Sequence, residues 1–261
     1  MISLFVYDSE RVRWWAGRSR SPEYQTAYGV IAKYVYRERP QVVLDVGCGP
    51  GEMMKRLYEG TRLLVGTDAT PEILDMAYEN LKSAGASPRM GNASEIRMEY
   101  SGAVLVRDDI LNSCMPDNFS DVSVMTFLEV GTEADRPYID PVIVEKFIRR
   151  YGPLRLGEAD MKGFLGGLAE FHHLSRLTRP GGALITAEYD VSDGKDADAR
   201  RFDGNGEMAE FMFDMKPESM RFYPSQKIWE DTNEELRAGC GGMKGYRVFK
   251  SIKLSRAAIS R

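Results

Sequence analysis

The stretch Val42-Val43-Leu44-Asp45-Val46-Gly47-Cys48-Gly49-Pro50-Gly51 constrains this chain more than any other. A short apolar run with one embedded acid leads into three glycines at alternate positions. Apolar runs bounded by turn residues are the pattern of a strand buried on both faces, as in a parallel sheet. Alternate glycines let the backbone turn tightly and let its N–H groups approach a ligand with no side chain in the way. Good helix formers follow, and a helix is predicted over residues 52–59. Strand, glycine turn and helix together lay out a nucleotide-type cofactor site at the edge of a doubly wound sheet.

The alternation continues downstream. Strands are predicted over residues 62–68, 103–107, 121–128 and 183–188, with one more inside 245–254. Helices are predicted over 71–84, 160–177 and 229–240. Thr70 and Pro71 sit where a helix N-cap and first residue belong, and Gly85 where a helix ends. Residues 1–40 read as helical and rich in aromatics, while 89–102 carry no clear pattern. The fold class that follows is α/β, a doubly wound, mostly parallel, seven-stranded-type sheet with helices on both faces. The chain reads as one domain over 1–261: a helical cap (1–40), a cofactor-binding core (41–190), and insertions at 131–159 and 190–228. Both insertions leave the sheet at its expected C-terminal edge, where ligands bind in open α/β folds, so they are expected to form a lid.

With 261 residues the chain can bury a substantial core without disulfides or metals. Its three cysteines, Cys48, Cys114 and Cys240, are scattered and form no C-x-x-C, which argues for a reducing compartment and against a zinc ribbon. Asp8 interrupts a short apolar start that lacks a positive flank, and no run reaches a membrane span, so a cytoplasmic, membrane-free protein is expected. A net charge of −4 disfavours a generic nucleic-acid binder. Residues 236–261 nonetheless carry seven bases and no acid, a pattern expected of an edge strand guarded by Lys and Arg.

Asp68 ends the second predicted strand, 23 positions after Asp45. An acid there accepts hydrogen bonds from the two hydroxyls of an adenosine ribose. Dinucleotide binding requires G-x-G-x-x-G, but here the third glycine falls one place early and Glu52 follows it. A carboxylate at Asp45 would also repel a pyrophosphate, whereas it suits a ligand carrying a positive group near the turn. S-adenosylmethionine has such a group in its ammonium, and it has no phosphate.

On these residues the chain resembles the class I S-adenosylmethionine-dependent methyltransferases over roughly 41–190. Leu44-Asp45-Val46-Gly47-Cys48-Gly49-Pro50-Gly51 is similar to the family's first motif, and Asp68 in Val65-Gly66-Thr67-Asp68 to the acid ending its second strand. Arg107-Asp108-Asp109-Ile110 resembles the acid after the third strand, Met115 to Asp121 the lead into the fourth, and Leu174 to Gly182 the turn into the fifth. The resemblance implies S-adenosylmethionine as cofactor, with no metal. Its contacts would be Asp45, Gly47, Cys48, Gly49, Gly51, Asp68, Ala69, Ile73, Asp108, Asp109, Ile110 and Phe127, with Ile73 against adenine. Either Asp108 or Asp109 could take the adenine amino group; Asp109 is preferred because an apolar residue follows it. The chain departs from the family at Leu128-Glu129-Val130, where many small-molecule members carry a histidine.

The expected reaction is transfer of the methyl group to a nucleophilic N, O or S atom of a small molecule by in-line displacement. Glu129 and Glu188, at strand ends, are the candidate bases. Tyr24 and Tyr28 are candidates to close over the cofactor, against the alternative of plain packing. His172 and His173 are expected to be structural and remote from the binding edge. The alternatives are an RNA or protein methyltransferase using the basic C-terminal segment, and a catalytically silent cofactor binder.

Overall fold

The computed structural model describes residues 7–110, 113–126, 173–189, 226–230 and 246–253. Its centre is β1 (Val42–Val46), five residues all buried, as the unbroken apolar run requires. β2 (Leu63–Asp68) lies parallel on one side of β1, and β5 (Ser120–Thr126) parallel on the other. Outward from β2 come β4 (Gly102–Arg107) and the short β3 (Arg89–Gly91), both parallel. Outward from β5 come β6 (Thr178–Tyr189), then the antiparallel β8 (Tyr246–Ile252) and β7 (Gln226–Glu230). The order β3-β4-β2-β1-β5-β6-β8-β7 makes eight strands among the described residues. The order of strand connection switches at β1, with parallel neighbours β2 on one side and β5 on the other, so a crevice opens beyond its C-terminal end.

The helical cap is α1 (Ser9–Arg18) and α2 (Pro22–Arg37). The Asp8 carboxylate caps α1, accepting from the Arg11 N–H at 2.8 Å. Tyr24, Ala27, Tyr28, Ile31, Ala32 and Val35 form one buried stripe along α2 and join the core cluster with Val43, Leu64 and Ile185. α3 (Met54–Leu57) and α4 (Pro71–Ser83) cover the same sheet face. Gly66 explains how closely α3 sits: a Cβ there would lie 2.2 Å from Met54 Sδ.

Several expectations change. The helix after the glycine turn starts at Met54, not Glu52, and runs into a 3₁₀ turn at Tyr58–Gly60. Residues 226–230, partly expected to be helical, form β7. The basic strand β8 is not an edge: β6 and β7 flank it, and two of its region's bases are used internally. Lys250 pairs with Glu38, and the buried Lys253 donates to Asn118 Oδ1 (2.8 Å), Ser175 O (3.0 Å) and Thr178 O (2.7 Å). Residues 131–159 and most of 190–228, the expected lid, lie outside the described residues.

The Arg179-Pro180-Gly181-Gly182 turn is part of β6 and is held from both sides. Arg179 Nε pairs with Asp121 Oδ1 at 2.9 Å, while Asp121 Oδ2 accepts the N–H groups of Gln41 (2.6 Å) and Val42 (3.0 Å). One carboxylate therefore locks the starts of β1, β5 and β6 together, at the end of the sheet away from the site.

Candidate cofactor site

The turn after β1 takes Gly47, Gly49 and Gly51 to φ +64°, +53° and +78°. Side-chain-bearing residues pay about 1–2 kcal/mol to adopt that region. Gly51 carries a second constraint, because a Cβ there would sit 3.1 Å from Ala77 Cβ on α4. No atom lies within 4 Å of the Cβ position of Gly49, so that glycine leaves open space in front of the turn.

Asp68 holds the turn to the end of β2. Its Oδ2 accepts the Gly49 N–H at 3.2 Å and its Oδ1 accepts the Thr70 N–H at 2.9 Å. Burial pushes its pKa above the usual carboxylate range, partly offset by those backbone N–H groups. Thr70 does not cap α4 with its side chain; its hydroxyl oxygen instead accepts the Tyr7 N–H at 3.2 Å and ties the start of the cap to the site.

Asp45 is fully buried, and neither of its carboxylate oxygens has a hydrogen-bond partner. Burial first, and the Asp68 carboxylate second, raise its pKa to about 8. Tyr28 of α2 is held well above the ordinary phenol range by burial and then by Asp45, and the Cys48 thiol is likewise pushed up. Glu52, also buried, differs in being paired, with Arg20 Nε at 3.2 Å and Lys55 Nζ at 3.0 Å.

These elements bound one open cleft of about 430 Å³, including its solvent-facing mouth. Tyr7, Trp15, Ser19 and Tyr28 line it from the cap side. Gly47 to Pro50, Asp68, Ile73 and Thr126 line it from the sheet side. Of the residues expected from sequence, Gly47, Cys48, Gly49, Asp68, Ile73 and Tyr28 thus converge. Gly51 is buried behind the turn, and Tyr24 is core, with an edge-on contact to Tyr28 at 6.1 Å between ring centres.

Asp108, Asp109 and Ile110 follow β4, the strand beside β2. The Asp108 N–H donates to Asp68 O at 3.1 Å, and its Oδ1 accepts the Cys114 N–H at 3.1 Å, so its carboxyl serves its own loop. Arg176 pins that loop by donating to Ser113 O and Met115 O and pairing with Asp117. His173 is not among the residues that line the cleft. It is half-buried and close enough to Asp109 and Arg176 to feel both charges, with burial as the main cause of its lowered pKa. Phe127, Glu129 and His172 lie outside the described residues. Glu188 pairs through its backbone with Arg247 on β8, and its side chain also lies outside them.

Sequence reasoning did not single out Tyr7, Trp15, Ser19, Pro50 or Thr126. Nothing local separates the cleft-lining Trp15 from its neighbour Trp14, which is 44% exposed.

The arrangement suits S-adenosylmethionine. Asp68 and Ile73 set an acid and an apolar wall in the same cleft. The Asp45 carboxyl, fully buried beneath the turn, has no hydrogen-bond partner among the described residues. Among the described residues, no cluster of three or more His, Cys, Asp or Glu could hold a metal, and no helix is long and apolar enough to cross a membrane.

Comparison with known proteins agrees with this geometry. Residues 43–120 match a family model described as a methyltransferase domain. A small RNA 2′-O-methyltransferase from Rattus norvegicus is 32% identical over 102 residues, 36% of this chain and 25% of the relative. The match therefore spans about a quarter of that relative's length. The N-methyltransferase NodS from Bradyrhizobium japonicum WM9 superposes with a TM-score of 0.51 at 12% identity, covering 91% of this chain and 99% of that one. The magnesium protoporphyrin IX methyltransferase ChlM from Synechocystis PCC 6803, solved with bound S-adenosylhomocysteine, gives 0.50 at 12% identity over 89% and 84%. A [4+2]-cyclase, SpnF, has the same fold at a TM-score of 0.50 and 14% identity over 88% of this chain and 82% of that one.

The parallel sheet, glycine turn and acid-ended β2 define a Rossmann-like methyltransferase fold. Within it, residues 43–120 are the part that matches the methyltransferase-domain model.

Proposed function

We propose that the chain transfers a methyl group from S-adenosylmethionine to a small-molecule acceptor. The observation that carries this reading is Asp45, a buried carboxyl with two unpartnered oxygens under the glycine turn. A buried acid costs free energy unless a charge or donor meets it. A cofactor with a cationic amino-acid end gives that acid a use, and a phosphate-bearing one does not.

S-adenosylmethionine, when bound, supplies a methyl group already activated by its sulfonium. The protein's share is then mainly positioning, worth up to about 7–11 kcal/mol when reacting groups are well aligned. Asp68 would hold the ribose, Asp45 would balance the ammonium, and Tyr7, Trp15 and Tyr28 would screen the cleft from water. A base is needed only where the acceptor must lose a proton; Glu129 and Glu188 remain the proposed candidates. A cytoplasmic setting is part of the same proposal.

A second reading, methylation of an RNA ribose, is favoured by the name of the rat relative. The internal use of Lys250 and Lys253 weakens it, since those bases do not form a free basic face. Incubation with S-adenosylmethionine carrying a tritiated methyl group, offered total RNA in one arm and a small-metabolite extract in the other, separates the two. Label entering the small-molecule fraction supports the proposal, and label entering RNA alone overturns it. Failure to bind S-adenosylhomocysteine in a calorimeter would overturn methyl transfer itself.

A further inference from the structure

We propose that the outer face of α1 beside the cleft mouth is a docking surface for the methyl acceptor, and that it fits a small planar molecule bearing an acidic group. This rests on the reading of the cleft as an S-adenosylmethionine site and names the chemical class of its acceptor.

Tyr7, Arg11, Trp14 and Arg18 follow one another at steps of four, three and four along α1 and its lead-in. That spacing gathers them on one face of a helix, so aromatic and cationic side chains alternate along a single stripe. The Arg11 guanidinium lies over the Trp14 ring at 4.7 Å and over the Tyr7 ring at 6.0 Å. Arg18, at the far end, lies over Tyr24 at 5.4 Å. Trp15 and Ser19, each one position further along than Trp14 and Arg18, line the cleft, and so does Tyr7. Neighbouring helix positions point about 100° apart. The stripe therefore continues the cap wall of the cleft outward from its mouth, with Tyr7 common to both.

The chemistry of the stripe selects its occupant. Trp14 is 44% exposed, yet it is held in place, by Arg11 on its face and by Trp15 meeting it edge-on at 4.9 Å. A large ring fixed before binding offers stacking area at little further cost in side-chain entropy. A guanidinium stacked on a ring keeps its N–H fork in its own plane, where a carboxylate or phosphate fits it. One molecule with its ring against Trp14 and its acid against Arg11 uses both features. The nearby acids do not cancel this charge. Asp8 accepts the Arg11 N–H as the cap of α1, Glu10 lies off the stripe, and Glu52 is paired with Arg20 and Lys55. Asp68 lines the inner wall of the cleft, so potential runs from negative inside to positive at the rim. Two arginines suit one acidic group, whereas a nucleic-acid backbone is tracked by a longer basic groove.

The test saturates the protein with S-adenosylhomocysteine, so that the cofactor pocket is filled, and titrates it by calorimetry with four probes. These are 2-naphthoate and 2-naphthyl phosphate (planar anions), 2-naphthylmethylammonium (a planar cation) and acetate (an anion without a ring). At least one planar anion should bind, and the cation and acetate should not. Arg11→Gln and Trp14→Ala should each weaken that binding about tenfold or more, the loss of one charge-assisted hydrogen bond or one stacked ring. S-adenosylhomocysteine affinity should stay as in the wild type. No binding of either planar anion, equal binding of the cation, or wild-type affinity in both variants overturns the proposal. Polyuridylate binding more tightly than either planar anion, and lost in the same variants, also overturns it, in favour of RNA. Should Trp14→Ala melt below the wild type, Arg11→Gln decides by the same criterion. If the wild type does not bind S-adenosylhomocysteine, it is the methyl-transfer reading that fails, so the two failures are distinguishable.

Discussion

Replacing Asp45 by Asn separates the cost of its burial from its use. In the folded, ligand-free protein the carboxyl is pushed from its ordinary 3.8 up to about 8, because it is fully buried and faces Asp68. Between those values the native state holds a proton that the unfolded state has released. Its contribution to stability is therefore full below about pH 4 and is lost as pH rises towards 8, at up to about 1.4 kcal/mol per pH unit. Asn carries no such penalty, so Asp45→Asn should raise the melting temperature of the ligand-free protein, and by more at pH 7 than at pH 5. Binding should run the other way. A ligand ammonium needs Asp45 ionised, and the amino group of a free α-amino acid stays protonated as the pH is lowered. With the Asp45 pKa raised to about 8, its ionised fraction falls as the pH drops below that value, by up to about tenfold per pH unit. Calorimetric affinities for S-adenosylhomocysteine, divided by those for 5′-methylthioadenosine to cancel any titration of Asp68, should follow that fall. In Asp45→Asn the ratio should be low and flat. A wild-type ratio that does not change with pH, or an Asn variant that binds S-adenosylhomocysteine normally at pH 8, would refute the role given to Asp45.

Three further outcomes follow from the geometry. Asp68→Ala removes the acceptor for the Gly49 and Thr70 N–H groups as well as the proposed ribose contact, so S-adenosylhomocysteine affinity should fall by at least about 1.5–3 kcal/mol, measured by calorimetry. Gly51→Ala should destabilise the fold by about 1–2 kcal/mol or more, since it adds strain at φ +78° and a 3.1 Å approach to Ala77; Gly49→Ala pays the backbone strain without the clash, and thermal melts should rank the two accordingly. Arg176→Ala should free the Ser113–Asp117 loop, read as faster amide exchange there with little change in β1 and β2.

What could be read from sequence and what could not differ in the range of the interactions involved. β1, its glycine turn and Asp68 are legible because each is set by neighbours within a few residues: an apolar run, positive φ, an acid at a strand end. Glu52 shows the limit. Local sequence reads it only as the start of a helix, yet it is 5% exposed and paired with Arg20, 32 positions earlier, as well as with Lys55. β3 was missed because Arg89, Met90 and Gly91 are all exposed, so burial leaves no alternating pattern. β7 resembles a helix start until β8 supplies its pairing.

The cofactor site divides along the same line. Its sheet side, which holds the cofactor features common to the fold, is written in local motifs. Its cap side, Tyr7, Trp15, Ser19 and Tyr28, comes from a separate helical pair that reaches the cleft only through tertiary packing. That division bears on function, because SpnF, a cyclase, shares this fold at a TM-score of 0.50. The motifs of β1 and β2 can identify the cofactor, but they are silent on what is done with it. Selectivity is then expected to draw on the cap, which supplies the cleft's other wall. Exchanging the cap for that of another methyltransferase of this fold should therefore change acceptor preference while keeping the Asp45-dependent pH profile of S-adenosylhomocysteine binding. Loss of that profile on exchange would place cofactor recognition in the cap as well, and would undo the separation of the two sides.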